Sequence, residues 1–276
     1  MIIMKYELHC HSWYSKGSKI PWEGIPSPKY IAVTMKKMGF GGFALTDHNT
    51  AAGWGEAAGA AKKQGIVFIP GMEISTGSGH LIGLGLNEPI RPGLGLDETI
   101  EKIREQGGVS VAPHPLDMRS EGLGDRFVKA DAVEVFNSLN LTRVENMVIS
   151  KKARSLGKPS VGGSDAHCLE MLGMTSNHME ADDMDSALRC IRNGSVKVEG
   201  RYVPVPVVVA WTRKRMRLSH ADIRRYIDRN YSFPRAGIAR FLLERFVRSE
   251  SGVWNGLGSF AVGMSTVYSA LRISVR

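Results

Sequence analysis

The chain has 276 residues, enough for one large domain or for one domain with an appendage. Its content of 43% hydrophobic and 23% charged residues is that of a soluble globular protein and excludes a disordered or fibrous chain. The three cysteines show no CxxC pair or disulfide-like spacing, and the apolar run at the N-terminus is too short for a secretory signal. We therefore expect a cytoplasmic protein.

The net charge of +9 is concentrated at one end of the chain. Residues 1–210 contain 23 basic and 23 acidic side chains, whereas residues 211–276 contain 13 basic and 4 acidic ones. The segment 202–210, with two prolines, separates these parts. We predict a main domain over residues 1–203 and a basic, mainly helical extension over residues 204–276.

Short strand-like runs alternate with helical patterns over the first 200 residues. Strands are predicted at 5–8, 42–46, 67–70, 80–86, 109–112, 132–136 and 159–162. Helices are predicted at 28–38, 96–106, 141–156 and 184–193, each followed by glycine. This alternation predicts an α/β domain with a mostly parallel sheet.

Polar residues occur at or beside the ends of these strands. They include six of the eight histidines, and the set is His9, His11, Asp47, His48, Glu73, His80, His114, Asp165 and His167. In an open sheet they would be spread along a line, because neighbouring strands lie about 4.8 Å apart. They meet at one site only if the sheet closes, so the seven runs favour a distorted (β/α)7 barrel with a helical C-terminal appendage.

Strand geometry explains the paired spacing of the histidines. Side chains two residues apart point to the same face, so His9 and His11 share one direction, as do Asp165 and His167. Imidazole and carboxylate without thiolate suit Zn²⁺, Mn²⁺ or Fe²⁺, and Mg²⁺ alone less well. The set is too large for one four-coordinate ion and indicates a cluster of two or three. Taken singly, each residue also has a structural explanation, such as helix capping by Asp47 or a turn at His114.

The motifs ELHCHS, LTDHNT, GMEIS, GHLIGLG, APHP, EVFNS and GGSDAH together resemble the PHP (polymerase and histidinol phosphatase) superfamily of metal-dependent phosphoesterases. The resemblance covers roughly residues 5–200 and implies a distorted (β/α)7 barrel with two or three metals. The resemblance implies that the first metal is bound by His9, His11, Glu73 and Asp165. It implies that Glu73 bridges to a second metal, which His80 and His114 also bind. It implies that His48 and His167 are ligands of a third metal.

Two positions depart from the family pattern. Glu7 stands where the family usually has Asp, which is a mild change. Lys16 stands where the family often has Asp or His to complete the third metal site. An ammonium group is not a metal ligand. Lys16 therefore either replaces one cation as a phosphate contact, leaves a site with two metals, or points to solvent.

Other candidate residues follow from their places in the chain. Arg119 and Arg143 are candidates for clamping a phosphate. Asn137 could bind substrate or orient a metal ligand. Asp165, His48 and His167 are candidate catalytic residues, and either histidine could protonate the leaving group if it holds no metal.

The basic extension does not resemble the barrel family. Ser219 with Asp222 predicts a capping box at the start of one helix, and a second helix is predicted to begin at Pro234. The basic surface is either a solvated face or a binding site for RNA or DNA. The uncharged run 253–271 is long enough to span a membrane, but its glycine and hydroxyl residues favour a buried helix instead.

Together these features predict a metal-dependent phosphoesterase acting on a nucleotide, an oligonucleotide or a small phosphomonoester. The rival interpretation is a nucleic-acid-binding or interaction protein with a vestigial metal site. Metal-dependent hydrolysis of a non-phosphate bond is a third possibility, because the same ligands polarise carbonyl groups. The sequence leaves the metal, the substrate and the oligomeric state open.

Overall fold

The computed structural model describes residues 2–17, 20–117, 121–140 and 142–274. Its strands within these ranges are β1 Ile3–Glu7, β2 Gly42–Leu45, β3 Val67–Thr76, β4 Gly79–Leu84, β5 Val109–Ala112, β6 Ala132–Asn137, β7 Ser160–Gly163, β8 Thr175–Glu180 and β9 Lys197–Gly200. Its α-helices are α1 Pro28–Lys37, α2 Trp54–Gln64, α3 Leu96–Glu105, α4 Arg143–Ser155, α5 Met184–Arg192, α6 Val205–Leu218, α7 His220–Asn230, α8 Arg235–Arg248 and α9 Val253–Ser274.

The strands form one sheet in the order β7-β6-β5-β4-β3-β2-β1-β8-β9. Strands β1 to β3 pair in parallel, and so do β5 to β7. Strand β4 runs antiparallel to both β3 and β5, and therefore joins the two parallel groups. The sheet curls into a nearly closed barrel with helices around it, which confirms the predicted fold class.

The barrel closes between its first and seventh strands. Beyond the end of β1, the N–H of His11 donates to the carbonyl of Ala166 at 2.8 Å, and the N–H of Asp165 donates to the carbonyl of His9 at 2.9 Å. Further along, the buried amide of Asn177 in β8 accepts from the N–H of Gly162 at 2.8 Å and donates to its carbonyl at 2.7 Å. Closure of the barrel thus brings residues 9–11 beside residues 165–167.

Strands β8 and β9 were not predicted from the sequence, and the sheet is less parallel than expected. The segment TSNHME of β8 contains few β-branched or aromatic residues, and the four-residue β9 is mostly exposed, so neither has a strong strand pattern. Both add antiparallel pairings beside β1. They extend the edge of the sheet without displacing the seven predicted strands.

Asp131, just before β6, ties three elements of the barrel together. Its carboxylate accepts from the N–H of Ser110 at 2.9 Å and from Arg104 at 2.8 Å, and it also accepts from the Ser110 hydroxyl. Burial raises the pKa of Asp131, but these hydrogen bonds outweigh burial and lower the pKa below its usual value.

We expect Asp131→Asn to lower the free energy of unfolding by about 1–3 kcal/mol at pH 7, because half-buried donors lose a charged acceptor. Because folding lowers the pKa of Asp131, its carboxylate stabilises the folded state fully at pH values above the unfolded-state pKa of about 4. The contribution is lost as the pH falls through the folded-state pKa. Urea denaturation at pH 7 and pH 3 measures this difference, with exposed Asp97→Asn as control. An equal deficit at both pH values would contradict the assignment.

Helices α6 to α9 follow the barrel and show two differences from the expected extension. Helix α7 begins at His220, but Ser219 makes no capping hydrogen bond to it. The Ser219 hydroxyl instead accepts from the N–H of Trp22 at 3.1 Å, so the predicted capping box is wrong. The division at residues 203 and 204 stays a prediction.

Helix α9 covers the uncharged run and is not the buried helix that the sequence favoured. One face packs on the protein, where Gly258 lies against α6 and the Ser269 hydroxyl donates to Glu145. The other face exposes large apolar side chains, including Phe260 at 69% and Leu271 at 63%. Gly258 allows close packing of α9 against α6, but the helix as a whole is not buried. Across the described ranges, we find no helix with the length and apolar character to cross a membrane.

Candidate metal centre

Glu73 of β3 lies at the centre of a buried histidine cluster and is 1% exposed. Its Oε1 lies 2.9 Å from Nδ1 of His80 and 3.0 Å from Nε2 of His114. Its Oε2 lies 3.3 Å from one ring nitrogen of each of three further histidines, His9, His11 and His48. The two oxygens therefore face two different sets of imidazoles, which is the arrangement that a carboxylate bridging two ions requires.

Asp165 adds a second carboxylate to the same cluster. Its Oδ1 lies 3.3 Å from Nε2 of His11 and 3.5 Å from Nε2 of His9. Asp165 has a φ of 52° and His114 a φ of 25°, which are conformations that side-chain-bearing residues rarely adopt. Such backbone strain persists where surrounding contacts hold it, and it concentrates at functional sites.

Glu134 of β6 is a buried carboxylate of the site that the sequence analysis missed. Its Oε1 lies 2.9 Å from Nδ1 of His9, which turns Nε2 of that ring toward Glu73 and Asp165. Its Oε2 accepts from the N–H of His114 at 2.8 Å. A Cβ at Gly163 would lie 1.9 Å from Oε1, so glycine is required there for the close approach. Strand alternation in AVEVFN was the available signal, since Glu134 lies between apolar neighbours.

The titration behaviour of the cluster follows from burial and opposite charges. Burial alone would raise the pKa values of Glu73 and Asp165, but the surrounding imidazoles hold both well below the usual range. Burial alone would lower the pKa values of His11 and His114, but the carboxylates raise both to about 9. The carboxylates are therefore ionised at neutral pH, and a divalent ion bound here would displace the protons of His11 and His114.

His48 and His167 form a neutral pair on the other side of His11. Their rings stack on His11, with centroids 4.7 and 4.4 Å away. Burial lowers the pKa of each to about 3, so both imidazoles are neutral at pH 7. Within the described chain, Nε2 of His167 is buried and has no hydrogen-bond partner. A neutral ring with an unused buried nitrogen fits a transition-metal ion and favours a ligand role over proton donation.

The ligand atoms are close enough together to hold several ions. Among the described residues, four triads place their ligand atoms within 4.8 Å of one another: His9, His11 and Glu73; His9, His114 and Asp165; His48, Glu73 and His80; His11, His48 and His167. These triads contain every residue predicted as a metal ligand. Their nitrogen and oxygen donors fit the divalent ions expected from the sequence.

His80 joins the cluster from the start of a strand rather than from its end. Because β4 is antiparallel to β3, His80 near its beginning pairs with Ser75 near the end of β3. The same reversal explains how a histidine that precedes an apolar strand reaches a site formed by the ends of the parallel strands.

The predicted substrate-binding residues have different positions. Lys16 lines the mouth of the site, a cavity of about 400 Å³ that also borders His48, His80 and Asp165. Asn137 is buried and donates to Glu134 at 2.9 Å and to Asp165 at 3.3 Å, so it orients carboxylates instead of facing the mouth.

Arg143 lies apart from the histidine cluster, and its role as a substrate contact stays a prediction. It stacks on Tyr202, 5.2 Å from the ring centroid, and lines a separate cavity that none of the clustered histidines borders. Arg119 lies outside the described residues.

The C-terminal extension reaches the mouth of the site, which the sequence did not indicate. Arg215 of α6 borders the same cavity as Lys16 and Glu23. The ring centroid of Trp211 lies 5.0 Å from that of His167. These contacts join residues that lie more than 40 positions apart in the chain, so no local pattern could have revealed them.

The fold and the site together define a class: an α/β-barrel protein in which six histidines and several buried carboxylates form one cluster that could hold metal ions. Two family profiles match the chain. The profile described as "PHP domain" matches residues 7–109, and the profile described as "PHP-associated" matches residues 144–196. The chain belongs to the PHP family.

The chain is also similar to individual proteins. An uncharacterised protein from Methanocaldococcus jannaschii is 41% identical over 156 residues, which is 54% of this chain and 91% of that protein. A protein named 5'-3' exoribonuclease from Haemophilus influenzae is 37% identical over 111 residues, covering 39% of this chain and 38% of that protein.

A crystal structure from Bacteroides vulgatus, of a two-domain protein containing a predicted PHP-like metal-dependent phosphoesterase, has a similar fold. Its TM-score is 0.59 at 15% identity, covering 72% of this chain and 65% of that one.

Proposed function

We propose that the chain is a hydrolase that cleaves phosphate esters with two or three bound Zn, Mn or Fe ions, with Mg possible. The observation that supports this most is Glu73, whose two oxygens face separate sets of imidazoles inside a buried cluster that opens to a mouth bordered by cations. Divalent ions held there would act as Lewis acids toward phosphoryl oxygens and lower the pKa of the attacking water.

We assign the ligands as the family resemblance implies. His9, His11, Glu73 and Asp165 would hold the first ion. Glu73 with His80 and His114 would hold the second, and His48 with His167 would contribute to a third.

Buried residues around the cluster orient the proposed metal ligands. Glu134 holds the Nδ1 side of His9, and Asn137 holds Asp165, so that their ligand atoms face the centre. Lys16 at the mouth is placed to contact a phosphate oxygen. If His48 or His167 holds no ion, its ring N–H can donate to the leaving oxygen.

We favour substrates derived from nucleic acids, either nucleotides or short oligonucleotides. The name of the Haemophilus relative supports this choice, as does the basic C-terminal extension. The experiment is a phosphate-release screen over mononucleotides, oligonucleotides, sugar phosphates and histidinol phosphate, with Mn²⁺, Zn²⁺ and Mg²⁺ compared. We expect release from a nucleotide-type substrate that stops on chelation. No release from any ester by fully loaded protein would overturn the proposal.

The rival function, nucleic-acid binding through residues 211–276, stays a prediction. Several arginines of this segment bond within the protein: Arg213 donates to the carbonyl of Phe246, and Arg240 pairs with Asp228 at 3.0 Å. A steep salt dependence of RNA binding that survives Asp165→Ala and metal removal would support this rival.

A further inference from the structure

The loop between β1 and α1 carries two charged residues to the mouth of the metal centre, Lys16 and Glu23. Lys16 occupies the position where the family often completes a third metal site. Its Nζ lies 3.7 Å from the centroid of the Trp22 ring, a cation–π contact that holds the ammonium on the indole. Lys16 therefore does not supply the missing ligand.

His48 and His167 supply two nitrogen donors but no charge to balance a divalent ion. Nε2 of His167, a side chain 5% exposed, is unpartnered in the described chain and lies at the same cavity. Nδ1 of His48 faces Glu73, which leaves Nε2 of His48 directed elsewhere. A carboxylate is the donor that this pair lacks.

Glu23 lies where that carboxylate is needed. Its Oε2 is 3.6 Å from Nε2 of His48, its side chain is 16% exposed, and it lines the cavity together with His167. We propose that Glu23 is the carboxylate ligand of a third divalent ion held with His48 and His167. The inference rests on the proposed function in one respect, because the third ion belongs to the metal centre proposed there.

Helix α6 of the basic extension fixes the position of Glu23. Two side chains of α6 and Ser219 directly after it, spaced by four residues, contact the loop. Trp211 donates from Nε1 to the Glu23 carbonyl at 2.9 Å, Arg215 donates from Nε to the Trp22 carbonyl at 3.2 Å, and Ser219 accepts from the Trp22 N–H at 3.1 Å. Residues four apart lie on the same face of a helix, so one stripe of the extension holds the loop.

Arg215 also contacts the carboxylate itself. Its Nη2 lies 3.6 Å from Oε1 of Glu23, while Oε2 faces His48. The guanidinium thus turns one oxygen toward itself and the other toward the histidines, as outer partners of metal ligands do. Trp211 and Arg215 are positioning residues for the third ion, which gives the extension a role inside the metal centre.

The test counts ions without substrate. Wild type, Glu23→Gln and the exposed control Glu98→Gln are loaded with Mn²⁺ or Zn²⁺ and dialysed, and the metal per chain is measured by mass spectrometry. We expect three ions in wild type and the control, and two in Glu23→Gln. The two retained ions also show that Glu23→Gln is folded.

A second variant tests positioning. Trp211→Phe keeps an aromatic ring but loses the N–H bond to the loop, and we expect about 10- to 100-fold weaker binding of the third ion in calorimetric titrations. Three ions bound with unchanged affinity in Glu23→Gln would overturn the inference, as would saturation of wild type at two ions. Three ions in wild type and two in Glu23→Gln, without hydrolysis of any ester, would overturn the proposed function and leave this inference standing.

Discussion

We expect Glu73→Gln to lose the ions proposed to share this carboxylate and to lower the proposed phosphoesterase activity by at least about 10²–10³-fold. The amide keeps the size of the side chain but removes the negative charge, and its nitrogen is not a ligand. Asp165 contacts His9 and His11, but Oε1 of Glu73 faces His80 and His114, so Asp165 does not take over the place of Glu73 between the two sets. Metal content per chain and phosphate release are measured on the same preparations.

Glu134→Gln is the matched control for this variant. Glu134 is equally buried, but it contacts the Nδ1 side of His9 rather than the centre of the cluster. We expect it to weaken ion binding about 10- to 100-fold while leaving the number of ions at saturation unchanged. Full metal content and full activity in Glu73→Gln would refute the assigned role of Glu73.

The second large effect concerns the closure of the barrel. Asn177→Ala should lower the free energy of unfolding by about 2–4 kcal/mol, because it leaves buried backbone groups without partners. The Asn177 amide bonds both the N–H and the carbonyl of Gly162 in β7, and it donates to the Tyr6 carbonyl in β1 at 3.2 Å. Urea denaturation followed by circular dichroism measures the change.

Asn193→Ala, at the exposed C-terminal end of α5, provides the comparison. Its effect should stay within about 0.5 kcal/mol. A loss below about 1 kcal/mol in Asn177→Ala would mean that the side-chain bridge between β7 and β8 contributes little to holding the barrel closed.

The sequence was sufficient to predict the barrel and the members of the histidine cluster. Strand alternation places His9 and His11 on one face, and six histidines beside strand ends meet only if the sheet closes. The structure brings all the predicted ligands together in the triads described above. The barrel and the histidine cluster could be predicted because the relevant spacings are local and the strand patterns are strong.

What the sequence could not predict depends on contacts between distant segments. Glu23 lies in an irregular loop, and its importance is visible only beside His48 and α6. Arg143 follows a conspicuous motif, yet the start of α4 turns it onto Tyr202 and away from the site.

The C-terminal extension illustrates the same limit. Its composition indicated a basic face and a buried uncharged helix. In the structure, α6 contributes Trp211 and Arg215 to the mouth of the metal centre, and α9 exposes Phe260. Composition reports charge and hydropathy, but it does not report which face of a helix packs against which neighbour.

The central claim is that the buried cluster hydrolyses phosphate esters only with divalent ions in place. The most direct measurement is phosphate release by metal-stripped protein as Mn²⁺ is titrated back, with bound metal counted at each point. We expect no release without metal, and a rise in activity that follows occupancy and saturates with it. Phosphate release by fully stripped protein, or fully occupied protein that releases none from any ester, would contradict the claim.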